Sequence, residues 1–169
     1  MPNPAPGGAT AEDTGTGRFQ VRIAAGGTTL IADEPVAAGG LGSGPNPYEL
    51  LCAALAACTT MTLRLYAEHK GWPVAAIRTQ VGHQRETGKT PPDLFVRRIA
   101  LPAGLSAAQR ARLIEIADRC PVHHTLAGGA RVETLASDTT PPCEPADAHK
   151  TDMEALIAVG RRSYDFTDR

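Results

Sequence analysis

Aromatic side chains are scarce: one Trp, three Tyr and three Phe in 169 residues, so any core has to be built mainly from aliphatic groups. Charge of one sign is not in excess either. Seventeen Lys and Arg stand against 18 Asp and Glu, a formal net charge of -1. Such a balance gives no basic face for a phosphate backbone, and nucleic acid is not expected as a partner. No stretch reads as the roughly 20 apolar residues that cross a bilayer, and no membrane partner is expected. The N-terminal MPNPAPGG lacks the basic and then apolar run of a secretory signal, so the expected location is cytoplasmic. Cysteine is present only four times. In a reducing compartment so few thiols do not make a disulfide frame, and their positions matter more than their number.

Residues 1–16 are rich in Pro, Gly and Thr and have almost no large apolar side chain; they read as a flexible leader. The domain is expected over residues 17–136, followed by a linker and C-terminal helix over 137–169. RFQVRIAA and TTLIADEP, separated by Gly26-Gly27, predict a β-hairpin. After the loop AAGGLGSGP, the run Asn46-Pro47-Tyr48-Glu49 predicts a helix start, with Asn as N-cap, Pro at the first helical position and Glu reaching back to the cap amide. The helix is expected to reach about Lys70, where Gly71 and Pro73 stop it. Its middle, LLCAALAACTTMTL, is apolar nearly all round and predicts burial on most faces.

PVAAIRTQVGHQRE and DLFVRRIAL read as a second strand pair. Ser106 caps a further helix through Arg119, Pro121 opens a short helical turn, PVHHTLAG, and ARVETLA reads as a last strand. Strand pairs broken by helices, without βαβ alternation, predict an α+β fold with a mainly antiparallel sheet around a long buried central helix. In the tail, Thr151-x-x-Glu154 is a capping box before a stripe of Met153, Leu156, Ile157 and Gly160 that needs a surface to dock on.

A cysteine nucleophile needs its thiolate, and hence a helix N-terminus, a cation or a hydrogen-bond donor beside the sulfur. Cys120, in Cys-Pro-Val-His-His, precedes the free amides of the next helical turn, with His123 and His124 close in sequence. Cys58 stands mid-helix among Ala53, Ala54, Ala56 and Ala57, small residues that leave room for another group to approach. A Cys in an Ala/Leu helix is otherwise a small core residue, and that reading suits Cys52. Cys143, between Pro142 and Glu144, reads as an exposed bystander. Glu49 fits its capping role, since nine residues at ~100° each put it opposite Cys58.

Gly-Pro-Asn-Pro-Tyr-Glu-Leu-Leu, then Ala-Ala-Cys58-Thr-Thr-Met-Thr-Leu, then Ala-Asp-Arg-Cys120-Pro-Val-His-His-Thr-Leu together resemble the OsmC and organic hydroperoxide resistance (Ohr) family over residues 18–136. Ala32-Asp33-Glu34-Pro35 and Leu63-Arg64-Leu65-Tyr66-Ala67 draw the likeness nearest to the OsmC-like domains found fused to α/β-hydrolases. The resemblance implies an intertwined homodimer with active sites at the subunit interface, and an enzyme that reduces organic hydroperoxides or hydrogen peroxide. It implies that Cys58 is the peroxidatic thiolate and that Cys120 resolves its sulfenic acid to a disulfide. A dithiol reductant, lipoyl-linked in relatives, would restore both thiols, with no cofactor.

Leu51, Leu55 and Met61 are the side chains expected against an apolar substrate. The Ohr glutamate that orients an arginine at the sulfur is replaced here by Tyr48, ten residues before Cys58 and about 80° from it around the helix. The implied cation corresponds to Arg18 or Arg22. Two other readings stay open: a redox-silent module that holds an apolar small molecule, and a metal site made by Cys58, Cys120 and a histidine.

Overall fold

Gly26 and Gly27 take φ angles of 56° and 77°, the left-handed values that a tight two-residue hairpin needs. They join β2 (Val21–Ala25) to β3 (Thr28–Ala32), which pair antiparallel with Ile23 opposite Leu30. The computed structural model describes residues 8–136, 149, 151, 152, 154 and 155. These fall into two units, the first containing residues up to Leu50 and from Val132 to Asp147, the second Leu51–Arg131 and the chain from Ala148.

In the first unit a further strand, β1 (Ala9–Asp13), pairs antiparallel with β2 to give the order β1-β2-β3. Those residues were expected in the flexible leader. Ladder pairing asks for backbone groups rather than apolar side chains, so the polar Ala-Thr-Ala-Glu-Asp segment can pair along β2 without contributing to a core. Beyond β3 the chain makes one 3₁₀ turn, Val36–Ala38, and Asp33 ties together the loop on either side of it. This carboxylate, 2% exposed, accepts from the amides of Glu34, Leu41 and Ser43 and from the Ser43 hydroxyl at 2.8 to 3.2 Å. Burial pushes its pKa up, but the Ser43 hydroxyl and the three amides outweigh burial and hold it below the usual carboxylate range. A Cβ on Gly44 would run into the Ile31 carbonyl, so only glycine lets the loop pass that close to β3.

Helix α1 (Pro47–His69) begins in the first unit and runs on through the second. Its start is a capping box: Asn46 Oδ1 accepts from the Glu49 amide and Glu49 Oε2 from the Asn46 amide, both at 2.9 Å. At its end Gly71, with φ 64°, lets the Trp72 amide reach the Ala67 carbonyl and the Gly71 amide the Glu68 carbonyl, which satisfies two terminal acceptors. By length and composition α1 could cross a bilayer, contrary to the sequence expectation. It buries one stripe, Leu55, Cys58, Thr59, Thr62, Leu63, Tyr66 and Ala67, at the 3- and 4-residue spacing of a core-facing helix. The opposite side, including Ala53, Ala54, Ala57 and Met61, is exposed in the single chain.

The second unit adds β4 (Arg78–Arg85) and β5 (Asp93–Ala100), paired antiparallel. Helix α2 (Ala107–Ala117) has a reciprocal cap between Ser106 and Gln109, and α3 (Pro121–Gly128) follows. Leu63, Tyr66 and Ala67 of α1 pack with Leu113, Ile116 and Ala117 of α2, and with Trp72, Ile99 and Leu101. Leu63 and Leu113 are fully buried, each contributing about 1.5 to 3 kcal/mol. The fold is mixed α+β, with antiparallel sheets and one long helix.

Two sequence expectations are corrected. Residues 130–136, expected as a last strand, have no regular secondary structure, and Val132 and Leu135 are 88% and 86% exposed. Apolar alternation there finds no ladder to join. His149 is already helical together with Thr151, Asp152, Glu154 and Ala155, so Thr151 is not the first residue of that helix. Cys143 and the stripe Met153, Leu156, Ile157 and Gly160 lie outside the described residues.

Candidate active site

Cys58 faces inward from the middle of α1 and is 3% exposed; Cys120, between α2 and α3, is fully buried. The two share a cluster with Leu55, against which Val81, Phe95, Val122 and Leu126 pack. Although 62 residues apart in sequence, their sulfurs lie 2.7 Å from each other, with no bond between them. A disulfide at about 2.05 Å asks them to close by roughly 0.65 Å. Two thiolates on one tetrahedral zinc would stand about 3.8 Å apart given Zn–S bonds near 2.3 Å, so the pair is too close to chelate a metal jointly. Among the described residues no group of three or more His, Cys, Asp or Glu is placed to hold a metal ion.

Two sulfurs so close share one proton, and their surroundings decide which keeps it. Cys120 is the N-cap of α3, with Pro121 at the first helical position. Its sulfur closes no capping hydrogen bond, but the amides of His123 and Val122 point toward it and favour an anion. The Cys58 thiol is the largest influence, burial opposes it, and the His123 amide, the Thr59 hydroxyl and the Val122 amide add to it, so the Cys120 pKa is pulled down to about 5. Cys58 goes the other way: its hydrogen bond to Cys120 and its burial raise its pKa, against the weaker pull of the Val122 amide and the Thr62 hydroxyl. These surroundings favour the charge on Cys120 and the proton on Cys58. The expected result is an ultraviolet thiolate absorbance equivalent to one sulfur per chain at pH 7, lost as pH falls through about 5. A titration showing no thiolate below pH ~8 would contradict this charge placement.

Thr59, next to Cys58 and fully buried, links Cys120 to a cation. Arg97 Nη1 donates to Thr59 Oγ1 at 3.0 Å and to the Ala117 carbonyl at 2.9 Å, while Nη2 donates to Asp118 Oδ1 at 2.7 Å. With its oxygen accepting from Arg97, Thr59 keeps its O–H for the Cys120 sulfur. Arg97 alternates inward on β5 with Phe95 and Ile99, and an arginine on an apolar strand face is the signal that sequence reading left unused. His149 was also missed. Its Nε2 lies 3.4 Å from Cys58 Sγ, a contact across 91 residues that no local motif announces.

Of the other expected site residues, Leu55 packs on the cysteines and helps to wall a cavity of ≈ 490 Å³. Phe95, Ile99, Ile114 and Leu126 give that cavity its apolar surface; Arg97 and His123 are among its polar groups. Neither sulfur lines it. Leu51 and Met61 are 41% and 56% exposed and do not line it either. Tyr48, 45% exposed, stands ten residues before Cys58 on a continuous helix, about 15 Å along the axis. That exceeds the reach of a tyrosine side chain, so within one chain Tyr48 does not serve Cys58. Arg18 stacks over the Phe19 ring at 5.3 Å, and Arg22 lies on β2 opposite Glu12. Both belong to the first unit and the two sulfurs to the second.

A family model described as OsmC-like protein matches residues 40–135, a span that holds both cysteines. Among solved structures, an osmotic stress induced and detoxification response protein from Psychrobacter arcticus is similar at a TM-score of 0.59 and 19% identity, over 69% of this chain and 85% of that one. An OsmC-like protein from Mycoplasma pneumoniae is similar at 0.56 and 23%, over 72% and 86%. An organic hydroperoxide resistance protein OsmC from Legionella pneumophila is similar at 0.50 and 25%, over 71% and 88%. No curated protein matches the chain.

Proposed function

Since this chain belongs to the OsmC-like protein family, we propose that it is a thiol peroxidase that reduces organic hydroperoxides, or hydrogen peroxide, at the Cys58–Cys120 pair. The observation that carries the proposal is the 2.7 Å separation of two buried sulfurs from distant parts of the chain. In the proposed cycle Cys58 Sγ attacks the distal oxygen of ROOH, the O–O bond breaks, and ROH leaves Cys58 as its sulfenic acid. The Cys120 thiolate then attacks the Cys58 sulfur; the S–S bond forms, the S–O bond breaks, and the departing hydroxide takes a proton from solvent to become water. Attack on a sulfenic acid needs an anionic sulfur, and a Cys120 pKa near 5 supplies one at neutral pH. An external dithiol, such as a lipoyl-linked carrier, returns both cysteines to thiols.

A cytoplasmic, intertwined homodimer fits this reading. The exposed apolar side of α1 at Ala53, Ala54, Ala57 and Met61 is a surface that a second copy would cover. Arg18 or Arg22 and Tyr48 are then the groups to be supplied at the subunit interface. The test is peroxide consumption by the full chain with a dithiol reductant, followed by mass mapping of peroxide-treated protein. One Cys58–Cys120 bridge per chain is expected. The apolar cavity of ≈ 490 Å³ favours a second reading, a redox-silent module that binds an apolar molecule. Saturable ligand binding by reduced protein that leaves both thiols intact under peroxide would select it.

A further inference from the structure

The sulfur assigned the attack, Cys58, is the one that holds the proton in the resting pair. Among the described residues, the groups recorded against it are the Cys120 sulfur, the Thr62 hydroxyl, the Val122 amide and the His149 ring. The hydroxyl and the amide act on Cys58 as donors, and the Cys120 anion already shares the proton it would have to remove. Of these, His149 brings a ring nitrogen whose lone pair can accept a proton.

We propose that His149 is a further catalytic residue, the base that takes the Cys58 proton as the sulfur attacks. The inference rests on the peroxidase reading for its role in turnover, but not for the proton transfer itself. Nε2 lies 3.4 Å from Cys58 Sγ, within range of an S–H···N hydrogen bond, in the tautomer that carries its proton on Nδ1. Removing the proton would leave two anionic sulfurs 2.7 Å apart, which is unfavourable unless a cation forms beside them. The imidazolium is that cation, formed in the same step. When the O–O bond breaks, the imidazolium returns its proton to the leaving alkoxide as ROH, and His149 is neutral again for the next cycle. The residue is exposed, so its ring can also exchange protons with water between turnovers. It comes from the C-terminal helix beyond the family match at residues 40–135, so this chain adds its base from outside the shared domain.

The test separates proton removal from peroxide chemistry. Reduced parent, His149→Ala and His149→Gln proteins, as full chains, are treated with iodoacetamide at pH 7, and the modification of each cysteine is followed by mass mapping. Cys58 alkylation is expected to slow about tenfold or more in both variants, with Cys120 unaffected and with added imidazole restoring the Ala variant toward the parent. Glutamine keeps the bulk of the ring, so a rate at or above the parent's at Cys58 in His149→Gln would overturn the assignment, as would an equal loss at both cysteines. If the alkylation pattern is as expected but peroxide oxidises neither parent nor variants, His149 stands as the base of Cys58 and the peroxidase reading fails.

Discussion

A Cys58→Ser protein is expected to consume hydroperoxide with a dithiol reductant on the order of a thousandfold more slowly than the parent, because the sulfur proposed to attack oxygen is gone and Cys120 is assigned only the resolving step. Cys120→Ser is expected to behave differently. Cys58 still attacks once, one equivalent of peroxide is used, and the sulfenic acid persists long enough to be trapped by dimedone. The pair of variants decides the order of the two sulfurs, which the resting charges alone would invert: Cys120 is the anion near pH 7, and Cys58 keeps the proton. If Cys120→Ser abolishes peroxide use and Cys58→Ser carries the trapped sulfenic acid, Cys120 is the attacking sulfur and the proposed order is reversed. Parent-rate turnover by Cys58→Ser removes Cys58 from the chemistry.

How far the sequence announces this site depends on the range of the interactions involved. The limits of α1 are legible because Asn46, Glu49 and Gly71 act within one turn of the ends they cap. The same holds for Ser106 with Gln109 at α2 and for Pro121 at α3. Pairing between strands is not local. β1 exists because β2 has an open side, and residues 130–136 have the alternation of a strand without becoming one. In the site, Cys58 and Cys120 can be picked out as types in suggestive settings, but their contact cannot, since nothing within either motif specifies the other. Arg97 was half visible: its parity with Phe95 and Ile99 puts a charge on the apolar face of β5. Thr59 resembles any small polar residue of a helix until Arg97 is placed against it. His149 carries no local signal at all.

Replacing Arg97 by Met is expected to lower unfolding free energy by about 2 to 4 kcal/mol and to raise the pH at which Cys120 ionises. The side chain is 13% exposed whereas Asp118 is 67% exposed, so the ion pair between them contributes little in water. The cost arises on the other side of the guanidinium. Thr59 Oγ1 and the Ala117 carbonyl both accept from Nη1, and Met leaves each of them in the interior without that donor. Asp118→Asn retains an exposed acceptor and is expected to change stability by less than about 1 kcal/mol, which separates the two halves of the network. The effect on Cys120 has a definite sign. By donating to its oxygen Arg97 polarises the Thr59 hydroxyl, so without Arg97 that hydroxyl is a weaker donor to Cys120, whose pKa it lowers; the thiolate absorbance should then disappear at a higher pH than in the parent. Urea unfolding measures the first effect and the absorbance titration the second. An Arg97→Met protein with parent values in both would show that Arg97 neither supports the interior at Thr59 nor acts through it on Cys120.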